Sequence, residues 1–119
     1  MYNFKYLHIT ICYILFISLL SHIPGNDLPE SSYSFSNQDK IFHFFEFFIL
    51  GLLLQLSFIE SKRFSANEII FMTVIFGFAI ACFDELHQNL VQGRHPSIDD
   101  LIFNFLGLIL SFINYKNFY

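Results

Sequence analysis

The sequence predicts an all-α fold, an integral membrane four-helix bundle with both termini inside and a polar site toward the outer face. Three observations predict it. Hydrophobic residues make up 55% of the 119 residues and charged residues only 13%, where a soluble domain carries about 25% charge. The apolar residues fall into four runs, each close to the roughly 20 residues a helix needs to cross a bilayer. The polar residues that interrupt those runs are gathered toward the ends of three of them. A chain of this length fits one domain, with helices over about 6–23, 40–58, 66–88 and 98–114.

The first run, Leu7 to Leu20, is broken only by His8, Thr10 and Ser18. With Lys5 ahead of it, this run also fits a signal peptide. No small-residue cleavage pattern follows, and Ser21-His22-Ile23-Pro24-Gly25 reads as a helix end and turn, which favours a retained membrane helix. Asn26 to Gln38 reads as a polar loop. Asp39 is then positioned to cap a second helix of Phe, Ile and Leu, interrupted by His43, Glu46 and Gly51. Ser65-Ala66-Asn67-Glu68 has the spacing of a capping box, in which the Ser hydroxyl and the acid each satisfy a free backbone N–H. Ser97 to Asp100 repeats that spacing ahead of the fourth helix. Cys12 and Cys82 lie in apolar runs and are expected in the core, not in a disulfide.

Topology follows from the basic residues. Lys5, Lys62, Arg63 and Lys116 mark one side, and Lys40 and Arg94 the other, so the termini are expected inside. Four helices then place the start of the second, the end of the third and the start of the fourth at one depth near the outer leaflet. Lys40, His43, Glu46, Asp84, Glu85, Gln88, Arg94, Asp100 and Asn104 belong to that level. His43 and Glu46 share a helical face with Asp39. Asp84 pairs in register with Gln88, as Asp100 does with Asn104. Gly107 and Ser111 continue the last stripe, and Gly77 and Ala81 form another, at the small-residue spacing that lets helices approach closely.

A carboxylate at the centre of a membrane helix costs about 2.5–3.5 kcal/mol to insert, so Glu46 must be protonated, paired or in a wet cavity. Glu46, Asp84, Asp100 and His43 are the candidates for acid–base chemistry. Lys40 and Arg94 suit an anionic group, with Glu85, Gln88 and Asn104 as further binding residues. Each polar residue also has a purely structural reading. Asp39 and Asp100 can serve as caps, Gly93 as a turn residue, and Arg94 as the partner of a carboxylate or a lipid phosphate. That reading is weakest for His43, Glu46 and Asn104, which cap nothing. His43, His87, Glu46, Asp84 and Glu85 are acceptable ligand types, but His-x-x-Glu on one helix is a poor metal motif and no second histidine motif supports it, so no metal and no cofactor are expected. There is no phosphate-binding glycine loop, no G-x-S-x-G and no basic patch for nucleic acid.

The series Asp84-Glu85-x-x-Gln88, Gly93-Arg94, Ser97-x-x-Asp100-x-x-x-Asn104-x-x-Gly107 resembles the VanZ-like family of small bacterial membrane proteins. Ser21 to Pro24, Asp39-Lys40 with His43, and Leu50-Gly51 extend the resemblance to about 21–111. Gln92 departs from it, standing where the family often has Pro. The resemblance implies a multi-pass protein of the bacterial cytoplasmic membrane, in a family with a member associated with low-level glycopeptide (teicoplanin) resistance. It implies no reaction. The partners expected are membrane lipids, a lipid-linked cell-wall intermediate and a second copy of the chain. A structural or partner-binding bundle is the alternative, and a small transporter or proton relay through Glu46 a lesser one.

Overall fold

The computed structural model describes residues 4–21, 35–88, 90 and 98–114. Among them the chain is all-α, with four helices and no strand. The helices are α1 (Lys5–Ser21), α2 (Phe35–Ser61), α3 (Ala66–Gln88) and α4 (Ile98–Leu110), the last continued by a 3-10 turn over Ser111–Asn114. The first expected loop as far as residue 34, Ser97 of the second expected capping box, the Gln92-Gly93-Arg94 stretch and Lys116 lie outside the described residues.

Two boundaries differ from the sequence reading. Helix α2 begins at Phe35, so Asp39 lies within it and does not cap it. The residues from Glu30 to Gln38 are mostly polar, but none is Gly or Pro, and polarity alone does not stop a helix. The second difference is length. Two segments, Lys40–Ser61 and Ala66–His87, are long and apolar enough to cross a membrane, whereas the apolar helix Lys5–Leu20 is shorter. Helix α4 has 13 residues, which is roughly 20 Å of helix.

The turn between α2 and α3 is built by local chemistry. Lys62 takes the left-handed conformation (φ 57°) that ends α2, and its N–H donates to the Ile59 carbonyl at 3.1 Å. The capping box then opens α3. Ser65 N–H donates to Glu68 Oε2 at 2.7 Å, and Glu68 N–H donates to Ser65 Oγ at 3.4 Å. At the same end of the bundle Glu60 caps α1 from α2, accepting from the Lys5 and Tyr6 N–H groups at 3.1 and 2.8 Å. Two of α1's orphan donors are thus satisfied by another helix.

Helix α2 is central and packs against each of the others, most extensively against α4. Glycine sets how closely α4 sits. A Cβ on Gly107 would overlap the Phe44 carbonyl oxygen, and one on Gly51 would overlap the Ser111 side chain. Backbone therefore meets backbone at Gly107. The small-residue stripe has the packing role its spacing suggested.

Ile17, Phe47, Leu50, Leu54 and Ala81 form an apolar core. Around it, burial is inverted relative to a soluble protein. Among the described residues, ten polar or charged residues are buried against seven apolar ones. Large apolar side chains face outward from every helix, including Leu19, Phe42, Phe71, Phe83 and Ile102. Cys12 is exposed on this apolar exterior and Cys82 half-buried, both as free thiols. The core position expected for Cys12 is thus corrected, because an apolar run here also supplies the outer surface.

Gly107→Ala is expected to destabilise the bundle by about 1–3 kcal/mol, because the added methyl meets backbone that cannot move aside. Glu60→Ala should cost about 0.5–2 kcal/mol by uncapping α1. Unfolding midpoints in detergent, measured against wild type, check both.

Candidate functional site

The polar centre assembles from three helices. On α2, His43, Phe47, Leu50 and Leu54 recur at helical spacing and form the buried stripe. Glu46 sits at its flank with its side chain 22% exposed. Helix α3 turns Ile69, Thr73, Gly77 and Ala81 inward, and the same face ends in Asp84 and Glu85. Helix α4 is amphipathic in reverse. Its buried face carries Asp100, Asn104, Gly107 and Leu108, and its outer face is apolar.

These stripes meet at His43. Its Nε2 lies 4.0 Å from Asp100 Oδ2 and its Nδ1 lies 3.8 Å from Glu46 Oε2. Both separations are longer than hydrogen bonds. A ring nitrogen of His43, a carboxylate oxygen of Asp84 and one of Glu85 lie within 4.8 Å of one another. His43, Asp84, Glu85 and Asp100 are all buried. Asn104 is completely enclosed one turn beyond Asp100, and neither atom of its amide has a hydrogen-bond partner.

Lys40 stands at the rim. Its Nζ lies 3.6 Å from Asp99 Oδ2, with both side chains partly exposed, and 5.9 Å from the Phe103 ring centroid. Arg94 and the Gln88 side chain lie outside the described residues. Of the residues singled out in the sequence, the fold therefore gathers His43, Glu46, Asp84, Glu85, Asp100 and Asn104, with Lys40 beside them.

A groove of about 370 Å³ runs between α1 and α3 and reaches this centre. Ile17, Phe76, Ala79, Ile80 and Phe83 give it apolar walls, and Asp84 and His87 lie at its polar end. The His87 ring packs on Phe83 with centroids 4.3 Å apart.

A second polar cluster was not singled out in the sequence. Gln55 is fully buried, and its Nε2 donates to the Gly51 carbonyl at 3.2 Å, to the Ser111 carbonyl at 3.2 Å and to Ser111 Oγ at 3.0 Å. Thr10 and Ser57 share a hydroxyl contact of 2.7 Å between α1 and α2. The available signal was Gln55 following Gly51 by four residues, one helical turn, inside an otherwise apolar run.

A family model described as VanZ/LLP1 matches residues 4–119. The chain belongs to the VanZ/LLP1 family. No curated protein and no solved structure matches it. The family match covers essentially the whole chain, including every helix that contributes to the polar centre.

Asn104→Ala is expected to leave stability unchanged or raise it, because the amide makes no bond to lose and a bare buried polar group costs about 1–3 kcal/mol. Unfolding in detergent measures this. A clear loss of stability would instead make Asn104 part of a structural clasp.

Proposed function

We propose that the chain is a multi-pass protein of the bacterial cytoplasmic membrane, with its termini inside and its polar centre near the outer leaflet. In this reading the centre binds, or acts on, the anionic headgroup of an envelope lipid or lipid-linked cell-wall intermediate. The observation that carries it is the apolar groove between α1 and α3 ending at Asp84 and His87, beside the buried acids. Such a groove suits an acyl chain, and its polar end suits the group that chain bears.

The membrane setting is supported by the inverted burial. Monomeric soluble proteins rarely expose contiguous apolar patches beyond a few hundred Å², whereas lipid tolerates them. Ionisable groups within membrane segments turn inward and mark substrate or proton pathways. His43 lies between Asp100 and Glu46 and would exchange a proton with either, so these three and Asp84 carry the acid–base role. Lys40 and Arg94 would hold the anionic group, with Glu85, Gln88 and Asn104 orienting it. Glycopeptide resistance would be one consequence of altering such an outer-leaflet species.

The test is a lipid and cell-wall-precursor profile of cells making wild type, Asp84→Asn, Arg94→Ala or Ala79→Phe at matched protein levels. We expect several-fold accumulation or depletion of one anionic species, lost in all three variants. Ala79→Phe obstructs the groove and removes no polar group, so its loss of effect would tie the change to acyl-chain binding. Identical profiles for wild type and all variants would overturn the reading.

A further inference from the structure

His43 brings an imidazole and Asp84 and Glu85 bring two carboxylates to one point between α2 and α3, with a donor atom of each within 4.8 Å of the others. The three residues retain only 5%, 5% and 8% of their exposure, so the point is enclosed by protein. We propose that these side chains are the ligands of a divalent transition-metal ion. Zinc bonds of 2.0–2.2 Å set tetrahedral ligands about 3.4 Å apart, so donors at this separation need only a small inward rotation to close on an ion. An imidazole beside carboxylates suits Zn²⁺ or Mn²⁺, whereas Mg²⁺ and Ca²⁺ favour sites made of oxygen alone.

Two independent features support a ligand at this point. The first is the surroundings of His43. Asp100 stands 4.0 Å from Nε2 and Glu46 stands 3.8 Å from Nδ1. Whichever nitrogen meets the metal, the other has a carboxylate nearby to hold its proton and fix the ring, the outer-shell pattern of metal-binding histidines. The second is Asn104. Its amide is wholly enclosed and unpartnered at both atoms, one turn from Asp100 on the same face of α4. A buried amide of this kind is costly unless a polar group offsets it, and it lies on the α4 side of the same centre.

Three protein donors leave coordination positions open, as catalytic metal sites do, and with His43 and Asp84 on the ion the acid–base role falls to Glu46 and Asp100. An open position would accept a phosphate oxygen, and the ion would offset the repulsion between an anionic headgroup and the surrounding acids. That last step rests on the lipid reading, whereas metal binding does not. Spacing along the sequence gave no metal motif because the ligands come from two helices more than 40 positions apart.

The test uses the full chain, purified in detergent without a polyhistidine tag and stripped with chelator. Zn²⁺ and Mn²⁺ are titrated calorimetrically, and bound metal is counted after desalting. We expect about one ion per chain, with affinity falling about tenfold or more in His43→Gln and Glu85→Gln and unchanged in Glu68→Gln, an exposed acid at the α2–α3 turn. Co²⁺ added to wild type alone should give ligand-field absorption bands, which keeps the test decisive where a variant fails to fold. Folded wild type that binds neither Zn²⁺ nor Mn²⁺ and gives no Co²⁺ bands would overturn the proposal. So would equal binding by wild type and a folded Glu85→Gln variant. Metal uptake with unchanged lipid profiles would retain the metal site and overturn only the lipid reading.

Discussion

The approach of α4 to α2 at Gly107 is the contact on which the rest of the structure depends. With the Phe44 carbonyl where a side chain would stand, the two backbones meet, and the ends of α4 are carried to fixed points along α2. One end places Asp100 beside His43. The other places Ser111 beside Gln55. A larger residue at the crossing would lift α4 away and open both contacts together. The polar centre is thus positioned by a steric fact at a residue that has no polar side chain itself.

The parts of this arrangement that were legible in the sequence are those governed by helical periodicity. Asp100, Asn104, Gly107 and Ser111 recur at one-turn spacing, and all four are buried, the first three on one face of α4 and Ser111 in the 3-10 turn that continues it. Ser65 and Glu68 carry a reciprocal pattern that uses only local geometry, and the expected bonds are present. Convergence of the three helix ends followed from counting helices between the polar segments. The misread features depend on what surrounds a residue in space. Asp39 has a capping side chain, yet α2 continues past it because nothing upstream interrupts the helix. Cys12 sits in an apolar run, but apolar runs here face both inward and outward. Glu60 carries no local signal of its role, because its bonds to the α1 N–H groups link residues more than 50 positions apart.

The groove between α1 and α3 comes from a different kind of constraint. α2 lies at the centre and α1 packs mainly on it, so α1 and α3 touch only lightly. The space between them is lined by whatever each helix turns sideways, which for α1 includes Ile14 and Ile17 and for α3 includes Phe76, Ile80 and Phe83. Asp84 belongs to both environments, because it follows Phe83 at the groove and precedes Glu85 in the acidic centre. A chain-like apolar ligand and a charged group attached to it could therefore be recognised by adjoining surfaces of one helix.

The two ends of the α2–α4 contact also provide an internal comparison between structure and function. Near Ser111 the helices are joined by neutral groups. The Gln55 amide donates to Ser111, and Ser111 Oγ also donates to the Leu108 carbonyl. That end shows that this fold can be fastened without burying charge. At the other end it encloses a histidine and three acids, and taking a charged carboxylate out of water costs on the order of several kcal/mol before compensation. Replacing buried ionic groups with apolar ones of similar size is often neutral or stabilising, so fastening alone does not account for them. Asn104, enclosed with both amide atoms unpartnered, argues the same way, since a clasp residue would be bonded. The ionisable end is better explained by chemistry with a bound ion or headgroup than by the packing that Gly107 already provides.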